Sequence, residues 1–188
     1  MRDRTALKAL TLVAALMLAL GSVAFPARAQ DANAAKARGL VDAAIKMTDS
    51  DAAVKLLWQA TELDPTLGEA YVYLGLYYNS RSDFTNVVKV YQKLIKHQPN
   101  QVGAYLNIGE AYMSFSPPRT DDALVYYRKG YALDRRNTFA ALRIGELLAQ
   151  TGRRDEALKY LKIALGDGAK NPTVASEAEK TLKQMGAL

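Results

Sequence analysis

The chain has 188 residues, no cysteine, a single histidine (His97) and a formal charge of +6. That composition excludes disulfides, thiolate metal sites, cysteine nucleophiles, a lipidated N-terminal cysteine and multi-histidine metal centres. Half of the charge lies in the first 29 residues; the remaining 21 basic and 18 acidic residues leave only +3, a surplus that says little about a polyanionic partner.

The first segment reads as an address. Arg2, Arg4 and Lys8 precede an apolar run from Ala9 to Leu20. Gly21, Ser22 and Pro26 break it, and Ala27-Arg28-Ala29 places small residues at −3 and −1 of a cleavage point before Gln30. This order of parts predicts a secretory signal peptide over 1–29 and a periplasmic location. The apolar run is shorter than the roughly 20 residues that span a bilayer comfortably; an uncleaved anchor is the alternative. Residues 30–33 are expected to be a disordered arm, followed by one domain over 34–188.

Within that domain a period recurs. Tyr71-Val72-Tyr73-Leu74-Gly75-Leu76-Tyr77-Tyr78 aligns with Tyr105-Leu106-Asn107-Ile108-Gly109-Glu110-Ala111-Tyr112 and with Ala141-Leu142-Arg143-Ile144-Gly145-Glu146-Leu147-Leu148. Gly75 and Gly109 are 34 apart, Gly109 and Gly145 are 36 apart, and Pro65 and Pro99 are again 34 apart. The segments between carry apolar residues at i, i+3, i+4 and i+7, as in Val87, Val90, Tyr91 and Leu94, which predicts helices. The prolines mark where each second helix stops. Asp83, Asp121 and Asp155 precede second helices, where acidic or capping side chains are favourable. Three glycines in helical positions, each costing about 0.5–1 kcal/mol relative to alanine, imply close helix approach, with Ala123 or Ala157 as the small residue opposite. A degenerate earlier copy runs from Ala34 to Thr66. After Gly166-Asp167-Gly168, Asn171-Pro172 opens a closing helix over 172–186 with Val174, Ala178, Leu182 and Met185 on one face.

The pattern resembles the tetratricopeptide repeat, W-x2-L-G-x2-Y, then A-x3-F, then P, over residues 34 to 165. The resemblance implies an all-α solenoid of about 3.5–4 helical hairpins plus a C-terminal capping helix, with the first helix of each pair lining a concave face. Carried over by repeat position, that groove contains Val72, Tyr73, Leu76, Asn79, Ser80, Leu106, Asn107, Glu110, Met113, Phe139, Leu142, Arg143, Glu146 and Gln150. Large apolar groups with a few polar anchors suit an extended peptide or an amphipathic helix. Some members grip a C-terminal carboxylate; Asn107 and Arg143 match two of those five positions, but Val72, Leu76 and Phe139 occupy the others, so a more apolar ligand is expected.

The expectation is a non-catalytic adaptor or assembly factor that holds a client protein in the bacterial envelope, without cofactor, metal or nucleic acid. Glycine-rich phosphate loops, metal-ligand clusters and nucleophile–base pairs are missing from the sequence, and repeat symmetry accounts for the paired Glu110 and Glu146. Two alternatives remain: a self-associating scaffold, and a binder of anionic envelope surface through Arg135, Arg136, Arg143, Arg153, Arg154, Lys159 and Lys162.

Overall fold

A computed structural model describes the backbone of residues 25–166 and 171–188, and the side chains of residues 30–166 and 171–188. Its elements are nine α-helices among the described residues: α1 Phe25–Ile45, α2 Ser50–Leu63, α3 Gly68–Ser80, α4 Phe84–His97, α5 Val102–Met113, α6 Thr120–Leu133, α7 Thr138–Gln150, α8 Arg154–Gly166 and α9 Pro172–Gln184.

The helix ends follow from side-chain chemistry. Asp49, Asp83, Asn137 and Asn171 cap α2, α4, α7 and α9 by accepting backbone N–H bonds two or three residues on, which occupies donors that have no partner within a helix. Asp121 and Asp155 stand inside the first turns of α6 and α8, where they complement the helix dipole rather than cap. Helices α2 and α4 end at Leu63 and His97, two residues before Pro65 and Pro99, because a residue before proline disfavours the helical conformation. The α3–α4 and α7–α8 turns each place one residue in the left-handed region, Ser82 (φ 56°) and Gly152 (φ 75°). Seventy residues apart, they occupy the same place in their repeats.

Consecutive helices pack as hairpins, and the hairpins stack in two layers. One layer holds α1, α3, α5, α7 and α9; the other holds α2, α4, α6 and α8. The second layer is tied by contacts one repeat apart. Lys93 Nζ reaches Thr61 Oγ1 at 3.3 Å, Gln92 reaches Tyr126 Oη at 3.1 Å, and Arg128 reaches Glu156 at 2.8 Å. The core between the layers is a continuous row of fully buried side chains, including Val41, Tyr71, Leu74, Ile108, Tyr127, Ile144, Leu161 and Leu182. This architecture is an α-solenoid of antiparallel helix pairs closed by α9, which packs on both α7 and α8.

Two expectations change. The repeat glycines do face the partner helix, but what approaches them is large. An added Cβ would lie 2.6 Å from the Tyr127 ring at Gly109 and 2.7 Å from Leu161 Cγ at Gly145, and at Gly75 it would meet the phenol of Tyr91. The glycine makes room for a big core side chain rather than for a small one. Residues 30–33, expected as a disordered arm, are helical and continue α1. The expected leader lies outside the described residues up to position 24, and the expected cut after Ala29 falls within α1. No described helix is long and apolar enough to cross a membrane.

Candidate functional site

The first-helix layer carries the cavities. A cleft of about 660 Å³ opens between α7 and α9, walled by Arg143, Glu146, Gln150, Glu177, Lys180 and Gln184 among others. A smaller one of about 200 Å³ adjoins it between α5 and α7, with Glu110, Met113 and Tyr127. At the other end, about 170 Å³ lies between α1, α2 and α3, lined by Ile45, Met47, Leu57, Tyr73 and Tyr77.

The layer reads as a ladder stepped by the repeat. At one repeat position stand Tyr73, Asn107, Arg143 and Glu177; three residues further stand Leu76, Glu110, Glu146 and Lys180. The rungs change from apolar at the N-terminal end to charged at the C-terminal end. Val72 and Leu76 on α3 are 45 % and 59 % exposed, which leaves apolar surface in water beside an apolar pocket. Asn79 and Ser80 are exposed at the end of α3, and Ser80 Oγ donates to the Tyr77 carbonyl at 2.8 Å.

At the charged end the side chains hold one another. Arg143 Nε donates to Glu110 Oε1 at 2.9 Å, and its Nη1 to Glu146 Oε2 at 3.0 Å, with Glu177 at 4.0 Å. The guanidinium also sits 4.9 Å from the centre of the Phe139 ring. Tyr127, fully buried from the second layer, donates its hydroxyl to Glu110 at 2.6 Å. Burial raises the Glu146 carboxyl above its ordinary value against the opposing pull of Arg143. Partial burial works against the Arg143 charge, but hydrogen bonds and attraction from Glu146 and Glu110 outweigh it and raise its pKa. Burial, then the bond to Glu110, pushes the Tyr127 phenol well above its usual range.

The expected groove residues therefore divide. Val72, Leu76, Asn79, Asn107 and Gln150 are exposed on the first-helix layer; Tyr73, Leu106, Glu110, Met113, Phe139, Arg143 and Glu146 are half-buried. Leu142 is fully buried within the core and lines none of these cavities. Leu106 leans toward Gly130, within 3.0 Å of where a Cβ would stand. The two clamp matches are both engaged internally: Asn107 Nδ2 donates to the Gly103 carbonyl at 2.8 Å, and Arg143 is taken by two carboxylates.

The basic cluster does not converge. Arg135 and Arg136 precede α7 and Arg153 follows it, so they stand about 20 Å apart at the helix rise of roughly 1.5 Å per residue. Arg153 pairs with Glu156 at 2.5 Å and Arg135 lies over the Tyr131 ring at 5.3 Å. Sequence reasoning missed Tyr127, Glu177 and Lys180. A further 34-residue step from Arg143 and Glu146 lands on Glu177 and Lys180, so the repeat register itself was the available signal.

No protein-family model matches the chain, and no curated protein matches it. Solved structures do. MamA is 26 % identical, with 72 % of this chain and 80 % of that one covered and a TM-score of 0.61. TTC0263, a thermophilic TPR protein of Thermus thermophilus, is 21 % identical over 80 % and 84 % of the two chains, at 0.58. YrrB, a TPR protein with an unusual peptide-binding site, is 18 % identical over 79 % and 77 %, at 0.60. These neighbours are TPR proteins, and this chain has their fold, an α-solenoid of tetratricopeptide-type helical hairpins.

Proposed function

We propose that this chain is a non-catalytic protein-binding module, exported to the bacterial envelope, which holds a client segment across its first-helix layer as an adaptor or assembly factor. The observation that carries this reading is the apolar surface left in water at Val72 and Leu76, on the same helix as Tyr73 and Tyr77, which line a pocket with Ile45 and Met47. Stacking alone does not require it, and exposed apolar patches mark interfaces. The fold accommodates protein ligands: YrrB has a peptide-binding site, and the yeast Sti1 TPR2B domain is known as a complex with pHsp70 (21 % identical, TM-score 0.51). Export rests on the basic, apolar and small-residue order of residues 1–29.

The test compares the full chain with a Val72→Asp/Leu76→Asp variant as bait in the native envelope fraction. Both sites are exposed, so each change costs within about 0.5 kcal/mol of stability. The reading expects a stoichiometric foreign protein on the wild-type bait that is lost from the variant. Equal recovery on both baits refutes the groove. Light scattering separates the self-associating scaffold, since the variant would then alter the mass of the purified chain. An N-terminus at Met1 in the exported protein, read by mass spectrometry, refutes cleavage.

A further inference from the structure

The ladder on the first-helix layer carries information about the chemistry of its occupant. Helices α3, α5 and α7 together hold Glu69, Glu110 and Glu146 against the single cation Arg143, a net of −2. The chain from residue 30 onward is +3. The surplus cations sit in part on the outer layer, where α4 alone carries Lys89, Lys93 and Lys96 with no acidic residue. A basic molecule thus presents an acidic stretch along the inner face of its solenoid.

Two groups that could receive an anion are occupied. Arg143 spends its guanidinium on Glu110 and Glu146, and Asn107 spends its amide on its own helix. The carboxylates are less fully used. Glu177 stands 4.0 Å from Arg143 with its side chain 46 % exposed, and Glu110 is 42 % exposed. Both flank the cleft system, where three carboxylates (Glu110, Glu146, Glu177) face two cations (Arg143, Lys180). A carboxylate already sharing a guanidinium still accepts a second charge-assisted bond from its other oxygen.

We infer that the occupant is a protein segment that sets an apolar side chain on Val72 and Leu76 and a lysine or arginine side chain among Glu110, Glu146 and Glu177. The inference rests on the protein-binding reading and adds the partner's chemistry to it. Directly packed helices lie roughly 8–10 Å apart, so the two helix steps from Leu76 to Glu146 span at least about 16–20 Å. An extended chain advances about 3.3 Å per residue, which puts the apolar and cationic side chains at least about five or six residues apart.

The probes are acetylated, amidated ten-residue peptides in an alanine–serine background, titrated against the full chain by fluorescence anisotropy. One carries a leucine pair and, six residues on, a lysine pair; a second replaces the lysines with glutamates; a third replaces the leucines with serines. Because the residues after position 29 keep a net charge of +3, non-specific attraction favours the glutamate peptide and works against the inference. The expected result is at least tenfold tighter binding of the leucine–lysine peptide than of either other. That preference should fall to within about twofold in Glu146→Gln/Glu177→Gln, and all binding should weaken in Leu76→Asp. Glu177→Gln alone leaves the Arg143 bonds to Glu110 and Glu146 in place and should show part of the loss with unchanged helical circular dichroism. Equal or stronger binding of the glutamate peptide, or no saturable binding of the leucine–lysine peptide, overturns the inference. Binding that needs Leu76 but ignores peptide charge overturns it too, while leaving the groove itself standing.

Discussion

Replacing the three repeat glycines by alanine should rank them by what each one faces. In an unpacked helix the change stabilises, by about 0.5–1 kcal/mol, because glycine loses more backbone freedom on folding. At Gly145 the new Cβ would stand 2.7 Å from Leu161 Cγ, 2.8 Å from its Cδ2 and 3.1 Å from its backbone nitrogen. Carbon atoms pack best at about 3.5–4.0 Å, so α7 and α8 must separate, since a backbone atom has no rotamer to retreat into. Overpacking of this kind costs about 1–3 kcal/mol, leaving a net loss of about 0.5–2 kcal/mol after the propensity gain. For a chain of this length that lowers Tm by about 1–8 °C. Gly109 should come next, because the Tyr127 ring at 2.6 Å is fully buried and tied to Glu110. Gly75 should suffer least, because the obstacle there is the far end of the Tyr91 side chain. Gly39, in α1 with nothing within 4 Å of its added Cβ, is the control and should gain about 1–4 °C. Thermal melts followed by circular dichroism at 222 nm measure all four. If Gly145→Ala and Gly39→Ala shift Tm in the same direction, the close-approach argument is wrong.

Burial raises the phenol pKa of Tyr71, Tyr91, Tyr112 and Tyr127. The unfolded chain then releases protons above pH about 10 that the folded chain keeps, so stability present below that pH is lost as it rises further. Urea midpoints at pH 8 and pH 11 should show that fall, shallower in Tyr127→Phe, which should also cost about 1–2 kcal/mol at pH 8 for the lost bond to Glu110; parallel slopes would refute the assignment to Tyr127. The left-handed turn residues give an opposed pair. Ser82→Gly should stabilise and Gly152→Ala destabilise, each by about 1 kcal/mol, and equal signs in denaturant melts would show that the two turns are not equivalent.

What was legible in the sequence is what backbone chemistry enforces locally. Pro65 and Pro99 cannot continue a helix, and Gly75, Gly109 and Gly145 recur because a helix pair closes on each of them. Both kinds of residue therefore mark the period and the hairpins. The size of the residue that closes on each glycine was not legible, since Tyr91, Tyr127 and Leu161 come from the next helix and nothing in the glycine's own segment names them. Exposure was not legible either. Val72, Leu106 and Leu142 share one repeat position, yet they are exposed, half-buried and fully buried in turn. A repeat position fixes only the direction of a side chain, and whether anything covers it depends on residues from other helices, as Leu106 lies against Gly130 of α6.

Arg143 shows the same limit for charge. By position it matches a residue that could grip a partner's carboxylate, and position is all that a motif compares. Its availability is decided by Glu110, 33 residues earlier, and by Glu146, one turn later, both within 3.0 Å. A guanidinium between two carboxylates has little left to offer an incoming anion, and placing a third carboxylate there adds like-charge repulsion to the cost of desolvation. The neighbours thus turn an apparent anion site into a place where the next favourable charge is positive. That reversal appears only when the 34-residue register is read across repeats, with Glu110, Arg143, Glu146 and Glu177 taken as one set rather than as four separate matches.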